Sequence, residues 1–303
     1  MQEDLSNQKP GPSVHLNEWI RKPTPMNKKL ILITGATAGI GEAAACALAA
    51  QGHKLILVGR NPQKTEKVAG QIRTQTGNQA IHFLIADFSD LRQIRQLAEQ
   101  VKTQFPKLDV LINNAGAVFM RRYKTKYGVE KTFLVNHLAP FLLTNLLLDH
   151  LQEHARIVNV SSGTHPNGQL DLNDLNFEHF YFGISAYARS KLANVLFTYE
   201  LVRRLGNQRV TVNALHPGRI GTDIFKADLG ILGLLVKRIV SRIALTPEQG
   251  ADNTIFLATS AEVEGVTGKY FVKREAVTSS PLSYDKDLAK RLWEVSEKLT
   301  ATQ

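Results

Sequence analysis

Short, unbroken runs of apolar residues alternate along this chain with longer stretches whose apolar positions recur with a helical period. An unbroken apolar run is typical of a parallel strand buried on both faces, and a helical period is typical of a helix with one buried face. The runs predict strands over residues 30–33, 54–58, 80–86, 109–112, 156–161, 210–215 and 268–273. The stretches between them predict helices over 42–50, 62–76, 90–104, 126–151 and 284–299, around Tyr187 and from Thr246 onward. This alternation predicts an α/β fold built on a parallel sheet of about seven strands.

The first predicted strand runs directly into a glycine-rich turn that opens the first predicted helix. The turn has the order Gly35-x-x-x-Gly39-x-Gly41. Glycines at such a turn let the backbone approach a phosphate closely, and the helix N-terminus that follows attracts anions. Because the turn lies between a strand and a helix, we predict that it binds a dinucleotide.

The length and composition of the chain suit a single sizeable domain. Of its 303 residues, 43% are hydrophobic, and no apolar stretch approaches the ~20 residues of a membrane span. Residues 1–27 are polar, contain four prolines and lack the apolar region of a signal peptide. We therefore predict a flexible extension over 1–27, one domain over 28–303, and a cytoplasmic location.

The net charge of +10 raises the question of a nucleic-acid partner. The basic residues are scattered and form no patch interleaved with aromatic residues, so we expect no nucleic-acid binding. The segment His150-Leu151-Gln152-Glu153-His154 fits a pattern found in some zinc peptidases. We expect no metal there, because the segment is predicted to end a helix at the edge of the sheet opposite the nucleotide, where histidines suit the helix dipole.

Arg60 follows the second predicted strand closely. An enzyme that uses NAD places an acidic residue at this point to accept the ribose hydroxyls. A guanidinium suits a 2′-phosphate instead, because charge-assisted hydrogen bonds to phosphate are strong. Arg60 therefore favours NADP(H) over NAD(H), and the alternative interpretation is an exposed loop arginine.

Tyr187 and Lys191 lie one turn apart on a predicted helix and therefore point the same way. An amphipathic pair on a solvated face would show the same spacing. Two other segments come earlier in the chain: Asn113-Asn114-Ala115-Gly116 follows the fourth predicted strand, and Ser161-Ser162-Gly163 ends the fifth. With these segments and the glycine turn in order before it, chance is a poor explanation of the Tyr187–Lys191 spacing.

Together these motifs resemble those of the short-chain dehydrogenase/reductase family, over about residues 28–273. The long gap between Ser162 and Tyr187, and the segment His216-Pro217-Gly218, are similar to the retinol dehydrogenase branch. The resemblance implies a Rossmann-like doubly wound parallel sheet with helices on both faces. It also implies hydride transfer between NADP(H) and a carbonyl or alcohol of a lipophilic substrate, such as retinal, retinol or another aldehyde or ketone.

The resemblance implies a role for each of four residues. Tyr187 would be the acid/base, and Lys191 would lower the pKa of that phenol from its usual value of ~10 and bind the nicotinamide ribose. Ser162, rather than Ser161, would hold the substrate oxygen. Asn136 would support a water-linked proton relay to Lys191, and the alternative is a structural asparagine, since a buried amide needs partners.

The resemblance also implies the residues that bind the cofactor. Asp87 would hold the adenine edge, although a cap for the next helix is an alternative role for it or its neighbours. His216 is expected to be structural rather than catalytic. The implied cofactor-binding residues are Gly35, Thr37, Ala38, Gly39, Ile40, Gly41, Arg60, Asp87, Phe88, Asn114, Ala115, Gly116, Tyr187, Lys191, Pro217, Gly218, Ile220 and Thr222.

The stretch over 222–245 combines apolar residues with Lys237, Arg238 and Arg242. It predicts a lid over an apolar substrate pocket in preference to an interfacial helix, and since the two roles are compatible, peripheral membrane contact stays open. Homo-oligomerisation also stays open. The alternative functions are a binding module that senses the cofactor and a membrane-surface scaffold. The complete catalytic set argues against the sensor, which has no need of a proton-transfer pair.

Overall fold

The apolar runs form the strands of one eight-stranded sheet. The structure is a computed structural model that describes residues 28–206, 209–218 and 246–301. The strands are β1 Leu30–Thr34, β2 Lys54–Gly59, β3 Ile81–Ile85, β4 Leu108–Asn113, β5 Leu151–Val160, β6 Thr211–His216, β7 Tyr270–Val272 and β8 Glu275–Val277. Their spatial order is β3-β2-β1-β4-β5-β6-β7-β8, and all neighbours are parallel except β7 and β8.

Helices cover both faces of this sheet. They are α1 Gly39–Ala50, α2 Pro62–Thr76, α3 Leu91–Gln104, α4 Ala139–Leu147, α5 Gly183–Leu205, α6 Pro247–Thr259 and α7 Lys286–Ala301. Apolar side chains of α1, α2 and α6 pack on one face, and those of α3, α4 and α5 pack on the other. α7 lies against α4 and α5, where Trp293 contacts Phe141 and Phe197. The predicted doubly wound α/β fold is therefore confirmed.

The strand order reverses between β1 and β4, which are neighbours in the sheet. In open α/β sheets, ligands bind outside the carboxyl ends of the strands at such a reversal. The glycine turn follows β1, and the segment Asn113-Asn114-Ala115-Gly116 includes the end of β4. The fold therefore brings these two sequence motifs to the same point.

The sheet has eight strands rather than about seven, because a hairpin adds β8 to its edge. Lys273 and Arg274 form the hairpin turn with φ angles of 52° and 67°. Two left-handed residues are typical of a two-residue hairpin turn, where asparagine and glycine are the usual sequence signal. Lys-Arg lacks that signal, which is why the sequence pattern did not predict this strand.

The helix predicted over 126–151 is instead a composite element. It begins with a turn at Lys131–Phe133, widens into a π-helix at Leu134–Leu138, and continues as α4. Pro140 lies in the first turn of α4, directly after the π-helix. The π-helix interrupts the regular α-helical hydrogen bonds directly before Pro140, which accommodates a residue without an N–H.

The fifth strand begins at Leu151, earlier than the predicted start at residue 156, with a register shift against β4. The two histidines of the zinc-peptidase-like segment therefore do not share a helix face. His150 ends a 3₁₀ turn, and its Nε2 donates to the Phe105 carbonyl at 3.1 Å. His154 lies in β5 with a φ of 66°. Within the described ranges, no group of histidine, cysteine and acidic residues could hold a metal ion.

Several predictions fall outside the described residues. These are the extension over 1–27, the lid over 222–245, and the cofactor contacts of Ile220 and Thr222. Among the helices in the described part of the chain, none is both long enough and apolar enough to cross a membrane.

Candidate active site

The glycine turn after β1 has a backbone that only glycine suits at two positions. Gly35 has a φ of 68°, and a Cβ there would lie 2.8 Å from the Ala115 Cα. A Cβ on Gly41 would lie 2.3 Å from the Gly35 carbonyl oxygen and 2.5 Å from the Asn114 Nδ2. The turn is thus packed directly against the chain that follows β4.

The N-terminus of α1 is open. Ala38 is the N-cap residue and makes no side-chain hydrogen bond to the first turn. The first N–H groups of a helix have no partner within the helix, so an uncapped terminus leaves them available to an anion. This arrangement fits the diphosphate of a dinucleotide.

Thr34 and Asn114 brace β1 against β4. The Thr34 hydroxyl accepts hydrogen bonds from the backbone N–H groups of Asn114 and Ala115, each at 3.0 Å. The Asn114 amide donates to the carbonyls of Thr34 at 2.9 Å and Gly35 at 3.2 Å. The Asn114 amide and the Thr34 hydroxyl together hold the ends of β1 and β4 side by side.

A second polar network lies buried below the site. Asn113 donates to the Thr144 hydroxyl at 2.9 Å and to the Asn159 side-chain oxygen at 2.8 Å. Asn159 in turn donates to the Thr198 hydroxyl at 2.9 Å. These bonds join β4 and β5 to α4 and α5. The network was missed at the sequence level, because no local pattern reveals which strand faces which helix.

Tyr187 and Lys191 lie on α5 as their spacing predicts. The Lys191 Nζ donates to the Val160 carbonyl at 2.9 Å and lies 5.5 Å from the centroid of the Tyr187 ring. Lys191 is only 3% exposed, and this burial lowers the pKa of its ammonium to about 8.

The pKa of Tyr187 differs from the expectation. Burial raises the pKa of this phenol to about 12, and a hydrogen bond with the Ser162 side chain acts in the opposite direction. Lys191 therefore does not by itself lower the pKa of the phenol below its usual value. The physical reason is that burial disfavours the charged phenolate more than the nearby groups stabilise it.

The surroundings of Ser162 favour it over Ser161 as the residue that meets a substrate. The Ser162 Oγ accepts from the Thr164 N–H at 3.2 Å and from the Thr164 hydroxyl at 3.1 Å. A hydroxyl has a single proton, so Ser162 can still donate it to another oxygen. The Ser161 hydroxyl is buried and donates to the Lys191 carbonyl at 2.8 Å.

Asn136 is completely buried in the π-helix. Its Oδ1 accepts from the Ala117 N–H at 2.8 Å, and its Nδ2 donates to the Ala117 carbonyl at 2.9 Å and the Ser190 hydroxyl at 3.0 Å. The Ser190 hydroxyl donates to the Tyr187 carbonyl at 2.7 Å. The Asn136 amide is thus occupied in holding the chain after β4 against α5. A π-helix in this position is consistent with function, because such bulges are frequent at functional sites.

Gly116 keeps space open between two of these residues. A Cβ at this position would lie 3.4 Å from the Asn136 Oδ1 and 3.4 Å from the Lys191 Nζ. The end of the Asn113-Asn114-Ala115-Gly116 segment therefore reaches the predicted catalytic set. The structure brings Asn136, Ser162, Tyr187 and Lys191 together at the carboxyl ends of β4 and β5.

Arg60 is exposed directly after β2 and has no hydrogen bond or ion pair within the described ranges. The preceding Gly59 packs against the glycine turn, since a Cβ on it would lie 2.6 Å from the Thr37 Cγ2 and 2.2 Å from the Thr65 Oγ1. Arg60 therefore directly follows a residue that packs against the glycine turn. This place in the chain fits contact with a phosphate on the adenine ribose.

Asp87 and Phe88 follow β3. The Asp87 Oδ1 accepts from the N–H and the hydroxyl of Ser89, each at 2.8 Å. Asp90 is the residue that caps α3, by accepting from the Arg92 N–H at 3.1 Å. The capping role thus falls to the neighbour of Asp87. Phe88 is 7% exposed and packs in the core, so contact with a cofactor would come from its backbone.

His216 ends β6, and Pro217 and Gly218 follow it. The His216 Nδ1 accepts from the Gly163 N–H at 2.9 Å, which is the structural role expected of it. Gly218 has a φ of 93°, a conformation that glycine adopts without strain. The described chain stops here, before Ile220 and Thr222.

Arg189 was not singled out by sequence, although it lies between Tyr187 and Lys191. Its Nε donates to the Gln169 carbonyl at 2.9 Å, and its Nη1 donates to the Asp174 carbonyl at 2.5 Å. These contacts hold the loop that leads from Ser162 to α5. The sequence showed only that the gap between Ser162 and Tyr187 is long, and not which residue would hold it.

A sequence profile described as short chain dehydrogenase matches residues 29–229 of the chain. The chain belongs to the short-chain dehydrogenase family. Retinol dehydrogenase 14 from Homo sapiens is 40% identical to this short-chain dehydrogenase over an alignment of 306 positions, which covers 95% of this chain and 90% of that protein. Polyprenol dehydrogenase from Homo sapiens is 38% identical over 284 residues, covering 91% of this chain and 86% of that protein. The resemblance to the retinol dehydrogenase branch is confirmed.

Solved structures of similar proteins have the same fold. An uncharacterized protein from Mycobacterium paratuberculosis has a TM-score of 0.72 with 32% identity, covering 90% of this chain and 93% of that chain. A short chain dehydrogenase from Shigella flexneri, solved in complex with NADP, has a TM-score of 0.63 with 26% identity, covering 82% of this chain and 98% of that chain. This short-chain dehydrogenase is therefore an oxidoreductase by family and by fold.

Proposed function

We propose that this short-chain dehydrogenase transfers hydride between NADP(H) and the carbonyl or alcohol carbon of a lipophilic substrate. The observation that carries the proposal is the meeting of Tyr187 and Lys191 next to Gly116, with the Lys191 Nζ 5.5 Å from the centroid of the Tyr187 ring and the Ser162 side chain close enough to act on the pKa of the phenol. When bound, the nicotinamide supplies or accepts the hydride. The protein's own residues bind the reactants, orient them and move the proton.

Ser162 holds the substrate oxygen in this proposal. Its Oγ accepts from Thr164, so its single proton is left for donation, and a bound substrate oxygen would receive that proton in place of the phenol oxygen. Tyr187 exchanges a proton with the same oxygen: during reduction, the phenol O–H proton passes to the oxygen as it becomes an alcohol. The Lys191 ammonium, fixed by the Val160 carbonyl, places a positive charge beside the resulting phenolate.

The cofactor assignment rests on three features of the chain. The open N-terminus of α1 suits a diphosphate, and the exposed Arg60 suits a 2′-phosphate. Asp87 keeps one carboxylate oxygen without a partner among the described residues, which suits an adenine amino group. The NADP complex of the Shigella flexneri relative adds support for NADP(H) over NAD(H).

The substrate assignment rests on the relatives and on the surface beside the site. Retinol and polyprenol, the alcohols in the names of two similar proteins, are both lipophilic. Phe180 and Phe182, just before α5, are 78% and 50% exposed. Such side chains provide apolar contact area for an alcohol or aldehyde with a hydrocarbon chain. Homo-oligomerisation and peripheral membrane contact stay predictions.

The proposal is tested by following NADPH and NADH oxidation with a panel of long-chain, aromatic and retinoid aldehydes. Wild type is compared with Tyr187→Phe, and with Tyr123→Phe as a matched loss of a hydroxyl from an exposed tyrosine. We expect turnover that favours NADPH, at least a ~10²-fold lower kcat in Tyr187→Phe, and little change in Tyr123→Phe. Tight NADPH binding without turnover of any substrate would favour the cofactor-sensing module instead.

A further inference from the structure

The backbone carbonyl of Ser162 receives an unusual number of hydrogen bonds. The His165 backbone N–H donates to it at 3.1 Å, and the His165 Nδ1 lies 2.9 Å from it. The Tyr270 hydroxyl, from β7, donates to the same oxygen at 3.1 Å. A carbonyl oxygen has two lone pairs, so these donors occupy it fully.

The contacts of His165 define the form of its imidazole. Its Nε2 lies 3.0 Å from the Ser280 backbone N–H, which can only donate, so the Nε2 carries no proton. The proton of the neutral ring must then be on Nδ1, from which it is donated to the Ser162 carbonyl. His165 is buried, and burial lowers the pKa of the imidazole, which favours this neutral form.

The Ser280 end of this contact is itself anchored to α5. The neighbouring Ser279 hydroxyl bonds with the Tyr199 hydroxyl at 2.7 Å and with the Ser283 hydroxyl at 2.7 Å. Ser280 also begins the 3₁₀ turn Pro281–Tyr284. His165 therefore links the Ser162 carbonyl to a segment that is itself hydrogen-bonded to α5.

The opposite side of the same peptide group is held as well. The Gly163 N–H donates to the His216 Nδ1 at 2.9 Å. With its carbonyl held by His165 and Tyr270 and its N–H held by His216, the Ser162–Gly163 peptide plane cannot rotate. This fixes the ψ angle of Ser162 and hence the direction in which its side chain leaves the backbone.

We propose that His165, as the neutral ring protonated on Nδ1, is a positioning residue that orients the Ser162 hydroxyl toward the substrate oxygen. Ser280 selects the tautomer, and Tyr270 is the second side-chain donor to the Ser162 carbonyl. The proposal rests on the hydride-transfer function proposed above. A displacement of about 1 Å in a substrate-positioning group can reduce turnover about 10²-fold, so a residue that never contacts the substrate can control the rate.

Two substitutions of His165 each remove one of the two hydrogen bonds of its ring, one to the Ser162 carbonyl and one from the Ser280 N–H. The amide nitrogen of an asparagine can take the place of Nδ1, so His165→Asn keeps a donor to Ser162 and loses the acceptor for Ser280. The amide oxygen of a glutamine can take the place of Nε2, so His165→Gln keeps the acceptor and loses the donor. Each variant loses one buried hydrogen bond, and their Tm values should therefore fall by similar amounts.

The measurement is steady-state kinetics of aldehyde reduction, with NADPH affinity determined separately by fluorescence. We expect kcat to fall about 10- to 10²-fold in His165→Gln and to stay within about threefold of wild type in His165→Asn, with NADPH Kd unchanged in both. Tyr270→Phe should resemble His165→Gln. His150→Gln, on the opposite edge of the sheet, is the matched control for a histidine-to-glutamine change.

Equal kcat values in the asparagine and glutamine variants would overturn the proposal, because a merely structural histidine would not distinguish them. The hydride-transfer function is judged separately, by wild-type turnover and its loss in Tyr187→Phe. If wild type turns over no substrate, long-range ¹⁵N–¹H NMR of the His165 ring tests the proposal by showing which ring nitrogen carries the proton. A neutral ring protonated on Nδ1 supports the inference, and a ring protonated on Nε2 contradicts it.

Discussion

The guanidinium carbon of Arg189 lies 3.6 Å from the centroid of the Phe177 ring. The same guanidinium donates to the Gln169 and Asp174 carbonyls, so it holds three points of the loop between Ser162 and α5. Arginine suits this role, because its planar group can stack and donate at the same time, which an ammonium cannot do. The loop is therefore built around a residue of the same helix that carries Tyr187.

We expect Arg189→Lys to raise the KM for a lipophilic aldehyde about tenfold, since the stack and one carbonyl contact are lost. NADPH Kd should stay within about twofold, because the loop lies on the substrate side. Steady-state kinetics and cofactor titration measure both, with Arg203→Lys, an exposed arginine of α5, as the control. An unchanged KM would show that the loop does not shape the substrate site.

The second prediction concerns stability and pH at Lys191. Burial lowers the pKa of this ammonium to about 8 in the folded protein, below its ordinary value of 10.5. Between these values the unfolded chain binds more protons than the folded one, so the free energy of unfolding rises with pH. From pH 8 to pH 10, wild type should gain about 2 kcal/mol relative to Lys191→Met.

Chemical denaturation at the two pH values measures this difference. Lys54→Met, at an exposed position in β2, is the control and should show the wild-type pH dependence. Parallel curves for wild type and Lys191→Met would mean that the pKa of Lys191 in the folded protein stays near its ordinary value, which would contradict the effect of burial. In either variant, activity is a separate readout.

The third prediction tests the choice of cofactor. Arg60→Gln should raise the Kd for NADPH about 10- to 10²-fold, because a charge-assisted contact to the 2′-phosphate is lost. The Kd for NADH, which lacks that phosphate, should change less than about twofold. Lys64→Gln, at an exposed position of α2, controls for the loss of one positive charge. An equal rise in the Kd values for NADPH and NADH would contradict a contact between Arg60 and the 2′-phosphate.

The fourth prediction compares two helical glycines. Gly41→Ala places a methyl group 2.3 Å from the Gly35 carbonyl oxygen, so we expect a loss of stability of about 1–3 kcal/mol and weaker NADPH binding. Gly70→Ala, in α2, meets no atom within 4 Å and should stabilise the protein by about 0.5–1 kcal/mol. Thermal unfolding and cofactor titration measure both. Similar effects at the two positions would contradict the close packing of the turn.

Local sequence signals predicted the elements that local chemistry controls. α2 runs over Pro62–Thr76 as predicted, because Asn61 caps its first turn at the Lys64 N–H and Gly77, with a φ of 70°, ends it. α6 starts at Pro247, next to the predicted start at Thr246, because Thr246 and Gln249 form a capping box there. The spacing of Tyr187 and Lys191 predicted a shared helix face for the same reason, since helical periodicity is local.

The features of the fold and of the site that the sequence did not predict depend on contacts between distant parts of the chain. The π-helix around Asn136 and the start of β5 at Leu151 follow from packing and strand pairing that no single segment reveals. The link from Ser280 through His165 to Ser162 joins residues far apart in sequence. A sequence pattern shows which residues suit a polar contact, but not which partners the fold brings to them.

The central claim is that this short-chain dehydrogenase moves hydride to a carbonyl carbon, with Tyr187 supplying the proton. The most direct measurement uses NADPH deuterated at C4 of the nicotinamide, on the transferred face, and the best aldehyde of the panel, with mass spectrometry of the alcohol. We expect one deuterium on the carbinol carbon with wild type, and almost no labelled alcohol with Tyr187→Phe. Alcohol without deuterium from either face, or equal labelling by the two proteins, would contradict the account.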